Sequence, residues 1–203
     1  MPMRLLAVPH FSPSLSPCIA TRGLRSRLRS GLLATGAALL LGGCASQRIE
    51  SYAAEQPALD LKTYFDGRLV AHGMFQDRSG RVVRRFVVEM TGTWHGNQGV
   101  LDERFTYSDG KTERRVWRLI DDGDGRYRGT AEDVVGEASG QVRGNAFSWR
   151  YTLRLPVDGK VYEVQFDDWM YRIDERIVLN RAEMRKFGIR LGEVTLAFTR
   201  LTP

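Results

Sequence analysis

The sequence has 203 residues, with 30 basic and 24 acidic side chains and a formal net charge of +6. All five charged residues among positions 1–43 are arginines, so the remaining 160 residues carry 25 basic and 24 acidic side chains. This even balance does not supply the concentrated basic face that nucleic-acid binding needs. A chain of this length is expected to form one domain with a single core.

The first element in chain order is an export signal. Four arginines between positions 22 and 29 precede an uncharged apolar run at 31–41. This run is shorter than the roughly 20 residues that a membrane-spanning helix needs. It leads into Leu41-Gly42-Gly43-Cys44, which resembles the lipobox of bacterial lipoproteins, where the cysteine is lipidated and becomes the new N-terminus. We therefore predict a lipoprotein signal peptide at 1–43 and lipidation of Cys44.

The predicted lipid determines where we expect the protein to be. Acylation of Cys44 would anchor the chain to a membrane of the cell envelope. The next residues are Ala45 and Ser46, whereas an aspartate there is the usual signal for retention in the inner membrane. We therefore expect the outer membrane of a Gram-negative bacterium, with the domain facing the periplasm. The polar, proline-containing segment 44–60 is predicted to be a lipidated tether, and 61–203 the folded domain.

Cysteine and histidine usage bears on cofactors. Cys18 lies in the signal and Cys44 is the lipid site, so the folded domain has no disulfide and no thiolate metal site. His72 and His95 lie in different segments and lack the spacing of a paired metal site. We predict no metal and no other cofactor.

From position 61 onward, apolar and polar residues alternate, which is typical of half-buried β-strands. The clearest strand is 146–155, in which Phe147, Trp149, Tyr151, Leu153 and Leu155 share one face. One helical turn is predicted at 181–187. Further strands are predicted at 65–75, 81–90, 99–107, 112–120, 127–131, 137–143, 160–173, 177–180 and 193–200.

Tight turns join these segments, several of them containing Asp-Gly. Nine or ten antiparallel strands connected in this way form a meander, which must close or pack on itself to remove its edges. We therefore predict an all-β fold, an antiparallel up-and-down β-barrel of the lipocalin or calycin type, in preference to a two-sheet sandwich.

Seven stretches that cover nearly the whole domain resemble a family of uncharacterised bacterial lipoproteins, known only as a domain of unknown function. The resemblance implies a lipoprotein with a calycin-like β-barrel. Because members of this family are similar to proteins encoded near modified-fatty-acid enzymes, it also implies a lipid ligand or a lipid-related process. The matching stretches are YFDGRLVAHGMFQDRSG (64–80), RRF (84–86), LDERFTYSDG (101–110), YRGTAEDVVGEASG (127–140), GNAFSWRYTL (144–153), DDWMYRID (167–174) and LNRAEMRKFGIRLGEVTLAF (179–198).

The densest polar cluster lies in the predicted strand 160–173. Alternation places Asp167, Trp169 and Tyr171 on one face and Asp168 on the other. If the first face is the barrel interior, Asp167 is a buried carboxylate that needs a partner. Arg181, Arg185 or Lys186 could supply the charge. The alternatives are an ion pair near the barrel mouth and a bulge that turns both acids outward.

A second acid, Glu103, is predicted to point inward by the same alternation. Trp149 and Tyr151, with other aromatic residues, could line an apolar cavity or could form an ordinary barrel core. The site hypothesis for ligand binding therefore contains Glu103, Trp149, Tyr151, Asp167, Trp169, Tyr171 and Arg181, with no catalytic residue assigned.

These observations favour a lipid-anchored protein whose barrel binds a lipid, a fatty-acid-type molecule or another apolar small molecule. One alternative is a structural or interaction protein of the cell envelope. The other is a lipid- or glycan-modifying enzyme that uses buried acids. A cavity holding two acids, one of them with a strongly raised pKa, would favour the enzyme. The membrane is the expected partner, and nucleic acid is not.

Overall fold

Ten strands follow one another along the chain, in a computed structural model that describes residues 47–157 and 159–201. The predicted signal peptide and Cys44 lie outside these described residues. Among the described residues, no helix combines the length and the apolar character needed to cross a membrane. The strands are β1 Gly67–Asp77, β2 Val82–His95, β3 Gln98–Tyr107, β4 Thr112–Gly123, β5 Arg126–Thr130, β6 Ala138–Arg143, β7 Ala146–Val157, β8 Lys160–Arg172, β9 Ile177–Lys186 and β10 Ile189–Arg200.

The strands form a closed antiparallel barrel. Each strand pairs with its neighbours in the chain, and β1 pairs with β10 to complete the circle. Closure pairs the edges that an open meander would leave exposed. The predicted all-β up-and-down barrel is therefore confirmed, and the ten predicted strands correspond to the ten observed ones.

The predicted helical turn at 181–187 is wrong. Most of this segment belongs to β9, where Ala182 and Met184 are buried and the residues that alternate with them, Arg181, Glu183 and Arg185, face outward. This period-two burial pairs β9 with β8 on one side and with β10 on the other, so a helix there would break two ladders. The described helices lie before the barrel: a 3-10 helix at Ile49–Tyr52 and a short α-helix, α1, at Leu61–Phe65.

Helix α1 closes one end of the barrel. Asp60 caps the helix by accepting a hydrogen bond from the Thr63 backbone N–H at 3.0 Å. Phe65 is buried and packs edge-on against Phe198 of β10, with ring centroids 5.6 Å apart. The helix crosses β2 at Gly92, where an added Cβ would lie 1.6 Å from the Phe65 carbonyl oxygen. Glycine is therefore the residue that lets α1 lie directly on the sheet.

Part of the predicted tether packs against the same closed end. Ile49 forms a small buried cluster with Ala146 and Trp169, and Leu59 is buried in the main core. The Leu59 backbone N–H donates to the Gly144 carbonyl at 2.8 Å. The described chain therefore begins on the barrel surface, because these apolar side chains are buried there.

Candidate functional site

The barrel encloses a cavity of about 810 Å³. Inward side chains of eight of the ten strands line it, and Leu61 and Phe65 of α1 form its floor. At the opposite end the lining includes Val83, Val157 and Leu191, which are exposed. The cavity therefore opens at the end away from α1, and its volume is in the range of pockets that hold small organic ligands.

Trp149 and Tyr151 line this cavity, which is one of the two arrangements that the sequence left open for them. Trp117 meets both in edge-on contacts, with centroids 5.8 Å and 5.4 Å away. Phe166 stacks on Tyr151 at 5.0 Å. These contacts fix a rigid aromatic wall along β4, β7 and β8.

The predicted orientation of β8 is wrong for the site. Asp168 pairs in register with Trp149, and residues directly opposite each other in a ladder share one face, so Asp168 points into the cavity. Asp167 pairs with Arg150 and faces outward, where its carboxylate lies 3.2 Å from Arg150 Nε. Alternation within a single strand separates its residues into two faces but does not show which face is inside the barrel. The register with the partner strand shows this, because the residues opposite each other share a face.

Trp169, Tyr171 and Arg181 also lie outside the cavity. Trp169 is buried, but it lies beneath the 3-10 helix, with Tyr52 6.0 Å away between ring centroids. The Tyr171 hydroxyl accepts a hydrogen bond from Gln47 Nε2 at the same place. Arg181 forms an ion pair on the outer surface with Glu193, at 2.7 Å. These three predicted ligand-binding residues serve the packing of the N-terminal segment or the outer surface instead.

Asp168 belongs to a buried polar group inside the cavity. It accepts hydrogen bonds from Asn180 Nδ2 and from the Tyr151 hydroxyl, the latter at 3.3 Å. Burial raises the pKa of Asp168 to about 7, although both hydrogen bonds oppose the change. Asn180 is 2% exposed, and no donor in the described residues lies within hydrogen-bond distance of its Oδ1 atom. Asn180, which lines the cavity, therefore carries a buried acceptor without a partner among the described residues.

Glu103 faces the same cavity, as predicted. Burial raises its pKa to about 7, with Arg115 acting in the opposite direction and Asp133 and Asp168 adding to the rise. Glu103 and Asp168 line one cavity, and the charge of Asp168 adds to the rise in the pKa of Glu103. We call Glu103, Arg115, Tyr151, Asp168 and Asn180 the acid cluster.

Arg115 was missed by the sequence analysis. Its guanidinium binds both carboxylate oxygens of Asp133, with Nη2 2.7 Å from Oδ2, and lies 3.9 Å from Glu103. Burial lowers the pKa of Arg115, but the neighbouring Glu103 and Asp133 raise it by more, so the net pKa is raised and the side chain stays cationic. Alternation back from Trp117 on β4 would have placed Arg115 inside.

Two more cations lie at the open end of the cavity. Arg84 is stacked over the Tyr107 ring at 3.5 Å and pairs with Asp109 at 3.1 Å. Lys186 Nζ lies 4.7 Å from the Tyr162 ring centroid. Across residues 47–157 and 159–201, no group of three or more His, Cys, Asp or Glu side chains is arranged to hold a metal ion.

Fold and site together define a closed ten-stranded β-barrel with an open, mostly apolar internal cavity and a buried acid cluster. The chain belongs to the family described as protein of unknown function (DUF3833), whose model matches residues 38–200. A search of curated proteins finds no match.

Proposed function

We propose that this protein is a membrane-anchored lipoprotein facing the periplasm, whose barrel binds a lipid or another apolar small molecule. The observation that carries the proposal is the cavity of about 810 Å³, which the barrel's own side chains leave unfilled. Apolar side chains that line an open cavity are in contact with water, and covering them with an apolar ligand is favourable. The lipobox-like motif that ends at Cys44 supports the anchor.

The acid cluster would bind the polar group of such a ligand. Arg115 is already neutralised by Asp133 and approached by Glu103, so it has little capacity for a further anion. Asp168 and Glu103 would repel an anion once they ionise. Asn180 Oδ1 is a free acceptor, and both acids can accept hydrogen bonds. We therefore propose a ligand with an uncharged hydrogen-bond donor, such as a hydroxyl or amide, at the end of its apolar part.

The first test is native mass spectrometry of the chain from Ala45 to Pro203, purified from a bacterial periplasm. This chain contains every strand, both short helices and the whole core. We expect a stoichiometric apolar adduct that is lost in Trp149→Ala and retained in Trp169→Ala. Each substitution removes one buried indole, but Trp149 lines the cavity and Trp169 does not. The pair is therefore matched for loss of packing and differs in contact with the ligand.

A second arm tests the head group. Oleyl alcohol and oleate have the same chain length and differ in the charge of the polar end. We expect the alcohol to bind more tightly than oleate at pH 8, and the preference to shrink at pH 5.5, where the two acids and the ligand carboxylate gain protons. Tighter binding of oleate at pH 8 would contradict the proposed head group but not the cavity. If neither probe nor any cellular lipid binds, the binding function is wrong, and a structural or interaction role in the envelope becomes the leading candidate.

A specific observation favours a second candidate, a lipid- or glycan-modifying enzyme. Glu103 and Asp168 share one cavity, and burial raises the pKa of each to about 7, the range suited to general acid–base catalysis at neutral pH. The enzyme hypothesis predicts that the bound lipid is converted to a product of different mass over time. Glu103→Gln and Asp168→Asn would then keep the adduct and abolish conversion, whereas the binding function predicts no conversion in any variant.

A further inference from the structure

Exposed apolar residues are concentrated at the open end of the barrel. Twelve large hydrophobic residues are exposed in the part of the chain that the structure describes, and eight of them lie near the tips of three hairpins. The most exposed are Phe187 at 88%, Val161 at 65% and Ile189 at 63%. We call this set the rim; it consists of Val82, Val83, Val157, Val161, Tyr162, Phe187, Ile189 and Leu191.

The three hairpins are β1–β2, β7–β8 and β9–β10, and they are neighbours around the barrel. The strand order runs β7, β8, β9, β10, β1, β2 without interruption, so the rim forms one continuous arc. The remaining two hairpins at this end, β3–β4 and β5–β6, contribute no residue to it. A single apolar arc of this kind is a surface that can be covered by one partner.

Charge is distributed in the same way. Segments 77–85, 154–163 and 183–191, which form the rim hairpins, contain nine basic and four acidic residues. The other two hairpins at this end, 107–114 and 130–138, contain two basic and five acidic residues. Apolar tips are therefore interleaved with cations on one arc, while the facing arc is acidic.

Phe187 has a backbone conformation that its side chain does not favour. Its φ is +50°, followed by Gly188 at +77°, in the two-residue turn between β9 and β10. Such turns favour Asn-Gly, because a residue other than glycine or asparagine is strained at positive φ. Since the phenyl ring is 88% exposed, packing within the described barrel does not explain why a phenylalanine is held there. An exposed aromatic in a strained turn is a reason to look for an external partner.

We propose that the rim docks on the surface of an anionic lipid bilayer, with the apolar tips entering the headgroup region and the neighbouring cations contacting lipid phosphates. Aromatic and aliphatic side chains that alternate with Lys and Arg are the composition of interfacial membrane-binding surfaces. Lys186 lies beside both the Tyr162 and Phe187 rings, at 4.7 Å and 5.0 Å, so that its ammonium can reach headgroups while the rings insert. This docking is independent of what occupies the cavity.

The test is partition of the chain from Ala45 to Pro203 onto vesicles. This chain lacks Cys44, so a lipid anchor makes no contribution. We expect binding to vesicles of phosphatidylcholine with 30% phosphatidylglycerol that is at least tenfold tighter than binding to pure phosphatidylcholine. Raising the salt concentration to 0.5 M should remove most of that preference, because screening weakens the attraction between the rim cations and the lipid phosphates.

The decisive variant is Phe187→Asn, since asparagine suits the turn and should not impair folding. We expect partition onto the anionic vesicles to fall by roughly tenfold, in line with the loss of one inserted aromatic side chain. The matched control is Ile173→Asn, which removes an exposed apolar residue at the closed end and should change partition less than twofold.

Two results would overturn the proposal: no partition of the unsubstituted chain, or equal loss in both variants. If partition is absent and the chain forms a dimer in sedimentation that Phe187→Asn abolishes, the rim belongs instead to an interface with a second copy of the chain. Phe187 does not line the cavity, so a loss of docking that leaves the native-mass adduct intact also separates this proposal from the ligand-binding function.

Discussion

Asp168 is expected to make the folded state sensitive to pH in a defined direction. Its pKa is about 7 in the fold and 3.8 ordinarily. Between these values the folded state binds a proton that the unfolded state has released, so the free energy of unfolding falls as the pH rises. This contribution is fully present below about pH 4 and is lost as the pH rises through 7. The full difference of about 3 in pKa corresponds to about 4 kcal/mol, of which roughly 2–3 kcal/mol is lost between pH 5 and pH 8.

Asp168→Asn removes the titration while keeping an acceptor for Asn180 and a group that can hydrogen-bond the Tyr151 hydroxyl. Urea unfolding at pH 5 and pH 8 measures the effect. We expect the unsubstituted chain to lose roughly 2–3 kcal/mol more stability over this interval than the variant does. The remaining slope of the variant should come largely from Glu103, whose pKa is also raised to about 7.

The matched control is Asp167→Asn at the adjacent position. Asp167 faces outward and pairs with Arg150, so its removal should cost about 0–1 kcal/mol and should leave in place most of the pH slope that comes from the buried Asp168, although its charge adds to the rise in the pKa of Asp168. Equal slopes in the unsubstituted chain and in Asp168→Asn would refute the reasoning, because Asp168 would then be hydrated or ionised in the folded state. A changed slope in Asp167→Asn instead would show that the strand faces the other way.

Three further substitutions test the packing, the buried ion pair and the strained turn. Gly92→Ala should destabilise the barrel by about 1–3 kcal/mol in urea unfolding, because the new Cβ would be 1.6 Å from the Phe65 carbonyl oxygen and α1 must move. Unchanged stability would mean that α1 is not held against β2 at this position. Arg115→Met should lower the free energy of unfolding by about 3 kcal/mol or more at pH 8, and by less at pH 5, where Glu103 is protonated. An equal decrease at both pH values would contradict the pairing of Arg115 with Glu103. Phe187→Asn should raise the free energy of unfolding by up to about 1 kcal/mol by relieving the positive φ, and a clear fall in the melting temperature would disprove strain in the turn.

Much of the fold could be predicted because alternation and turn chemistry act locally. The strand at 146–155 shows one apolar face over its whole length, and its observed counterpart is Ala146–Val157. Closure of the sheet into a barrel could also be predicted, because a meander of ten strands leaves two edges that must be paired. The prediction for segment 181–187 was wrong because its mixture of charged residues with Ala182 and Met184 also fits a polar helical turn when the neighbouring strands are unknown. The pairing of this segment with β8 and β10 makes it a strand.

The site was predicted only in part, and the reason lies in the pairing of strands. Both faces of β8 carry an acid and aromatic or apolar residues, so its own sequence cannot show which face is inside. The ladder to β7 resolves this, because Asp168 lies opposite Trp149. Arg115 could have been found, since it precedes Trp117 and Leu119 at intervals of two. An arginine in a strand is usually solvated, whereas here the ion pair with Asp133 makes the buried position tolerable.

The energetics of the acid cluster bear on its purpose. Two carboxyl groups whose pKa burial raises to about 7 reduce stability at neutral pH, and hydrophobic residues of similar volume would avoid that loss. A local choice that opposes stability is expected where a function requires it. A ligand present at about 100 times its Kd would raise the free energy of unfolding by about 2.7 kcal/mol, which is comparable to the stability that one buried acid costs. The cavity and the two buried acids are thus consistent with a barrel that a bound ligand stabilises. If so, the melting temperature at pH 8 should rise when oleyl alcohol is added and should not rise when oleate is added.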